Sequence, residues 1–404
     1  MKKRVLVINL GWEQEPLLER LAEKDDFELY GVHYDENFCK KVNWHDVLVC
    51  DLRDIPSIIT FAEKVKPQAV ISDQCDYSYF AQAFIAERFN LPGPRIREAQ
   101  IGTNKFFQRL LAKDAGFCVP KFTTCRHLKE AKKAASEIGY PIVTKPVDNR
   151  GSFGVNRVDD PQELDEAFYE ALAHSHAREV LVEKYIDGKH LTVDGYIFQK
   201  NGPKALAVAT KKKLLAKKGI IDGEIVYPGD LPEDIYNFAL KNAENIAKYF
   251  GFKFGFFHGE FILASDKNIY LTEMSNRGGG IYTSEIILPN FTGIDLLEIY
   301  IKDVFGFSSS INGLRLSKKP TILKFLEFLD LGYKGRIQKI EGIEKIKNFP
   351  EILSFRFLVR PGDELCPIQN GADRYGFFIG TANNKRDLYN LVKKVESLIR
   401  VVIV

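Results

Sequence analysis

The stretch HGEFILASDKNIYLTEMSNR, His258 to Arg277, decides how this chain is read. Two apolar, alternating runs flank the polar tetrad SDKN, which is the pattern of a tight β-hairpin. A turn centred on Asp266–Lys267 pairs Leu263 with Tyr270, Phe261 with Thr272 and Glu260 with Glu273. The two glutamates then stand opposite each other on one face, Cβ atoms about 5 Å apart. Like charges so placed repel. Either one carboxyl carries a proton or a hard cation lies between them, and carboxylates suit Mg2+. The bland alternative is two exposed glutamates on a hairpin edge, and a one-residue slip of register would put them on different faces. Period-two spacing continues the face through Ser275 to Arg277. An arginine there can hold an anionic group bidentately. The glycines Gly278 to Gly280 suit close approach of backbone to a ligand, or a plain flexible turn.

Upstream, YPIVTKPVDNRGSFGV (Tyr140 to Val155) ends a strand on Lys145 and follows it with a loop containing Ser152. Pro146 biases Lys145 towards an extended backbone, which limits where its side chain can point. The loop offers backbone N–H groups, as loops over phosphates do. A lysine about 4 Å from a phosphate charge gains roughly 4 kcal/mol at an effective dielectric near 20. Taken singly, a surface lysine before a turn is the commoner explanation of such a residue. The pattern GxxxxGK[ST] occurs nowhere, so this is not a P-loop.

The first hundred residues alternate β-branched runs (VLVIN, ELYGVHY, DVLVC, AVISD) with helical patterns. That alternation predicts an α/β, doubly wound parallel sheet, closed by the breakers NLPGPR. Domains are expected at residues 1–100, 101–308 and 309–404, the last small, α/β and strand-rich. After the helix starting at DPQE, strands are expected to dominate the middle segment. The length of 404 residues suits two or three domains.

With 45% hydrophobic and 27% charged residues the chain reads as soluble and globular. A net charge of +3 supplies no field for nucleic acid. The basic run KKKLLAKK, Lys211 to Lys218, is expected in a solvated loop unless it lies beside a bound anion. Six scattered cysteines without a CxxC pair suit reduced thiols and a cytoplasmic protein. No apolar stretch approaches the roughly 18–20 residues of a membrane helix, and the start of the chain reads as a first strand rather than a signal peptide. His174 and His176 are read as solvated, and His258 as a core histidine near the site. Asp76 and Tyr77 follow the fourth strand, where doubly wound sheets often bind ligands.

In order and spacing, these motifs resemble the ATP-grasp enzymes. The match runs from Lys105 in TNKFFQRLLAKDAGFCVP through Lys145 and VLVEKYIDGKHLTVDGYI to the two glutamates. The resemblance implies a central ATP-grasp domain after an N-terminal Rossmann-like domain, with the C-terminal domain completing the module. It implies that Lys105 and Lys145 contact ATP phosphates under the Ser152 loop. The hinge Glu183, Lys184, Tyr185 and Ile186 would meet adenine, while Glu260 and Glu273 would hold Mg2+ or Mn2+. A third phosphate-facing lysine would be one of Lys211, Lys212 and Lys213, with Lys211 standing for the three. His190 occupies the position where many members carry a ribose-binding glutamate. Ser275 stands where many have asparagine, so its hydroxyl or Asn276 would complete the metal or phosphate site. Arg277, with Gly278 and Gly279, would hold the substrate carboxylate, and Lys145 and Arg277 would be the catalytic pair.

The implied reaction is ATP-dependent amide or peptide bond formation between a carboxylate and an amine through an acyl phosphate, most similar to the amino-acid ligases. The alternatives are a bicarbonate-using carboxylase of the purine-pathway or biotin-carboxylase type, and a regulator that binds ATP without turnover. Small-molecule substrates are expected, with no nucleic acid or membrane partner, and a homodimer is compatible with the family.

Overall fold

The computed structural model describes residues 2–214, 221–314, 316–327 and 335–404. The four β-branched runs at the start form strands β1 (Lys3–Ile8), β2 (Phe27–His33), β3 (Asp46–Val49) and β4 (Ala69–Ile71). All pair in parallel, in the order β3-β2-β1-β4. Parallel pairing requires crossovers, and helices Ile55–Val65, between β3 and β4, and Glu15–Ala22, between β1 and β2, supply two of them. The first of these is started by Asp54, which accepts from Ser57 N, and by a proline in its first turn.

A second sheet contains β5 (Phe122–Cys125), β6 (Ile142–Pro146), β7 (Asn156–Val158) and β8 (Val180–Lys184), antiparallel in the order β5-β8-β6-β7. Helices Leu128–Ile138 and Leu164–Ala173 bury alanines and Phe168 on it, giving this unit its own core.

The third sheet is long. It begins with β9 (Gly188–Phe198), β10 (Gly202–Lys213), β11 (Asp222–Tyr227), β12 (Gly255–Ala264), β13 (Ile269–Ser275) and β14 (Thr321–Phe325). Beyond it, β15 (Ile337–Glu341), β16 (Ile352–Phe357), β17 (Gly376–Thr381) and β18 (Arg400–Ile403) follow. Eight of these make one sheet, β13-β12-β9-β10-β11-β14-β17-β16, while β15 pairs with β18. The sheet therefore runs across residue 308, and the last segment adds strands to the middle one. One apolar core joins Val5 of the parallel sheet and Leu17 of helix Glu15–Ala22 to Tyr196, Phe291 and Phe377.

Two expectations about elements change. The run KKKLLAKK is not wholly a loop, because Lys211–Lys213 end β10; residues 215–220 lie outside the described residues. Helix Glu233–Tyr249 interrupts the segment expected to be mainly strand. It buries Tyr236, Ala239, Ala243, Ile246 and Ala247, a helical spacing legible in the sequence.

The hairpin differs in an instructive way. Leu263 pairs with Ile269, Ile262 with Tyr270 and Phe261 with Leu271, one residue off the expected register. A β-bulge between Glu260 and Phe261 then restores the offset, so Glu260 does face Glu273. Without the extra residue, Thr272, the continued register would set Glu260 against Thr272. Strand β13 is a sheet edge, and helix Lys105–Asp114 covers it. Arg109 Nη2 donates to Thr272 O at 2.7 Å, and Gln108 Oε1 accepts from Met274 N at 2.9 Å. The helix thus satisfies the backbone groups at the bulge that strand pairing leaves free.

Candidate active site

A cleft between the second and third sheets brings together Lys105, Lys145, Ser152, Glu183, Lys184, Tyr185, Ile186, His190, Glu260 and Glu273. Asn104 caps the helix that starts at Lys105 by accepting from Phe106 N and Phe107 N. That places the Lys105 ammonium 2.6 Å from Asn149 O and 3.1 Å from Glu273 Oε1. Lys145 ends β6 and its Nζ lies 2.5 Å from Glu183 Oε1 on neighbouring β8. Burial, partly offset by Glu183, lowers the Lys145 pKa to about 8. Arg109 meets the same carboxylate at 3.0 Å. Burial raises the Glu183 pKa, but Arg109 and Lys145 outweigh it and hold the group below its usual value.

The opposed glutamates find a solution that the hairpin alone did not suggest. Each is neutralised by its own lysine. Lys105 takes Glu273, and Lys211 takes Glu260 at 2.5 Å. Lys211 is 3% exposed and stands on the same face of the sheet as Glu260; Lys213, two residues on, lines the cleft. Asp222 accepts from both, at 3.1 and 2.5 Å. Burial pushes the Asp222 carboxyl up, but Lys211 and Lys213 hold it far below the usual range. His258 Nδ1 lies 2.6 Å from Asp194 and its Nε2 3.6 Å from Glu260. Burial opposes its charge, yet Asp194 and Glu260 bring its pKa to about 9. The cleft floor is a charge network rather than a bare carboxylate pair.

Among the described residues no three His, Cys, Asp or Glu side chains converge to hold a metal ion by themselves. The two opposed carboxylates, Glu260 and Glu273, nevertheless offer the hard oxygen donors that would suit Mg2+. His190 is held neutral, because burial and then Lys213 lower its pKa to about 4. A neutral imidazole suits a hydroxyl partner.

Residues 138–285 match the ATP-grasp domain, and residues 327–404 match the L-amino acid ligase C-terminal domain 2. The chain thus carries an ATP-grasp domain followed by a C-terminal domain of the L-amino acid ligase type. It is similar to the uncharacterized protein y4rH of Sinorhizobium fredii, 26% identical over 82% of this chain and 67% of that one. A D-alanine–D-alanine ligase of Geobacter sulfurreducens is 24% identical over 57% of this chain and 69% of its own length. The crystal structure of an L-amino acid ligase from Bacillus licheniformis superposes with a TM-score of 0.83 at 19% identity, covering 100% of this chain and 99% of that one. That likeness establishes the fold.

Within this ATP-grasp protein, Arg277, Gly278 and Gly279 lie apart from the cleft lining, where the middle segment meets the parallel sheet. Arg277 Nε donates to Asp76 Oδ1 at 2.5 Å, and Gly278 N donates to Asp73 Oδ1 at 2.7 Å. Burial works against the Arg277 charge, but Asp76 raises its pKa well above the ordinary value. The first two glycines serve packing between protein parts. A Cβ at Gly278 would lie 1.8 Å from Ser284 Oγ, and one at Gly279 2.8 Å from His258 Nδ1. Only Gly280 faces open space. Asn276 is also turned from the site, because its Nδ2 donates to Phe254 O and Phe256 O at 2.9 Å each.

Three residues of the network carry no motif in the sequence. Arg109 is signalled only by helical spacing from Lys105, four residues apart on one face. Asp222 and Arg374 come from distant strands and loops, and Arg374 Nη2 donates to Asp222 O at 3.2 Å. Nothing local in the sequence marks them.

Proposed function

We propose that the protein activates the carboxylate of an amino acid with ATP and joins it to an amine, releasing ADP and phosphate. The observation that carries this reading is the cleft in which Lys105, Lys145 and Lys213 surround the opposed Glu260 and Glu273. The family match at residues 327–404 supports amino acids as substrates. In this reading the backbone of Glu183 to Ile186 holds the adenine, and His190 the ribose. Lys105 and Lys145 exchange their carboxylate partners for phosphate oxygens, each gaining a dianionic partner in a site poor in water. Glu260 and Glu273 would hold Mg2+, which supplies charge neutralisation on the phosphates when bound. Arg277 holds the acid so that its oxygen attacks the terminal phosphorus in line; the phosphorus–oxygen bond to ADP breaks and the acyl phosphate forms. The amine then attacks the acyl carbon, loses a proton, and phosphate leaves. No protein nucleophile is required.

A reducing, cytoplasmic setting and a homodimer belong to the same proposal. All six cysteines are free, and among the described residues no helix is long and apolar enough to cross a membrane. The test is a plate of the twenty L-amino acids, singly and in pairs, read as phosphate release with Mg-ATP. Bicarbonate occupies one row. Release dependent on an amino acid supports the ligase; release with bicarbonate alone moves the assignment to a carboxylase, and tight ATP binding with no release to a regulator.

A further inference from the structure

Arg150 follows Lys145 in the glycine-containing loop, and it lines the nucleotide cleft. Its guanidinium leaves that loop for the parallel-sheet side of the molecule. Nη1 donates to Cys75 Sγ at 3.0 Å, and the guanidinium carbon lies 5.2 Å from the centroid of the Tyr77 ring. Sulfur is a weak acceptor, and a ring face satisfies no N–H in particular. Among the described residues Arg150 forms no ion pair with a carboxylate. Asp76 and Glu13 act on it only through space.

The adjacent Asp76 is already engaged. Arg277 Nε donates to it, while Arg277 Nη1 donates to Gly278 O at 2.8 Å. Lys105 and Arg150 add their fields to the same carboxylate. Two largely buried guanidiniums therefore gather at Asp76, which only Arg277 engages directly, while the nearby Lys105 ammonium is already paired with Glu273. Removing a cation from water without a paired anion is unfavourable, and the arrangement becomes favourable when an anion enters. Nη2 of Arg277 and Nε and Nη2 of Arg150 have no hydrogen-bond partner among the described residues. Their planar forks suit a carboxylate, whose two oxygens can accept several N–H groups at once.

We propose that Arg150 is a second substrate-holding residue, taking, together with Arg277, the carboxylate of the acid that is to be phosphorylated. The inference rests on the reading of the site as a carboxylate-activating one. It adds a consequence that Arg277 alone does not carry. Because Arg150 sits in the loop beside the phosphate-facing Lys145, occupation by the acid would fix that loop before phosphoryl transfer and keep water from the terminal phosphate.

The test compares the full chain with Arg150→Met and Arg150→Lys. ADP and a non-hydrolysable ATP analogue are titrated calorimetrically with Mg2+. Hydroxamate formation is followed with each L-amino acid, ATP and hydroxylamine. The expected result for Arg150→Met is nucleotide affinity within about twofold of wild type and a KM for the amino acid raised at least tenfold, with a smaller change in kcat. Arg150→Lys should recover part of the KM. A tenfold loss for the ATP analogue with ADP unchanged would assign Arg150 to the terminal phosphate and overturn the proposal. Equal losses for both nucleotides would make it a loop-packing residue only and overturn the proposal as well. An unchanged amino-acid KM also overturns it. If wild type binds both nucleotides but yields no hydroxamate, the amino-acid reading fails first. The same comparison is then made with bicarbonate, read as phosphate release, and a raised bicarbonate KM in Arg150→Met still supports the proposal. Nucleotide binding without release for any acid ends both.

Discussion

At the scale of single residues, Glu183 shows how much a buried charge depends on its company. It is shared by Lys145 and Arg109, and Arg109 is wholly buried. Lys145→Ala leaves Glu183 with one strong partner, whereas Glu183→Ala strands two cations in the interior. Breaking a buried pair from one side costs about 3–5 kcal/mol. Glu183→Ala is therefore expected to lower the urea midpoint far more than Lys145→Ala, and similar midpoints would show that Arg109 finds another partner. For ligands the order reverses in emphasis: Lys145→Ala should weaken ATP at least tenfold while AMP changes little. Arg277 makes a second case. It is held through Nε by Asp76, and lysine has one ammonium where arginine has a planar fork. Arg277→Lys should keep ATP affinity yet lose most hydroxamate formation. Full activity in that variant would place the substrate carboxylate elsewhere.

The β12–β13 hairpin is the element on which the site turns. Repulsion between Glu260 and Glu273, inferred from their pairing, is relieved by Lys105 and Lys211 in the free protein. Two outcomes follow for this element. Glu273→Gln should abolish turnover and, by removing the partner of Lys105, leave thermal stability unchanged or slightly lower. A rise in Tm would mean that carboxylate repulsion persists despite the lysines. The same lysines compete with a divalent ion, so Mn2+ followed by electron paramagnetic resonance should bind weakly to the protein alone and tightly once ADP is added. Tight binding without nucleotide would contradict these ion pairs. The hairpin was legible because alternation of apolar residues marks strands whatever surrounds them. Its register was legible only in part. The turn centre is set by local backbone choices, whereas the bulge is held by Gln108 and Arg109, residues far away in sequence.

Across the whole molecule the parallel sheet and the eight-stranded sheet share one core, and the polar groups at their junction are sealed with it. Glu98, on helix Ile96–Gly102, is one of these and accepts from Lys253 N at 2.8 Å. Burial raises its pKa from 4.5 to about 7, against the pull of the Lys253 N–H. Between those values the unfolded chain has ionised this group and the folded chain has not. The unfolded state binds fewer protons, so this group makes stability fall as pH rises through the window. The effect is on the order of 3 kcal/mol across it. Glu98→Gln keeps an acceptor for Lys253 N and cannot ionise, so its stability should gain on wild type between pH 4.5 and 7. Parallel urea midpoints for the two proteins across that range would show that Glu98 does not govern this pH dependence.

What the sequence determined by itself is whatever depends on neighbours in the chain. Strand and helix alternation in the first hundred residues, the extended Lys145 before Pro146 and the glutamates at hairpin spacing all follow from local stereochemistry and periodicity. The ordered motifs added the ATP-grasp likeness. Tertiary structure alone decided how charges are matched. Lys211 and not its neighbours meets Glu260, because strand pairing across β10, β9 and β12 sets the two side chains together on one face. Arg109, Asp222 and Arg374 join the network from separate elements. Gly278 and Gly279 are required by side chains packed from elsewhere in the fold. Coulombic partners are chosen by proximity in space and by exclusion of water, and neither quantity is written along the chain.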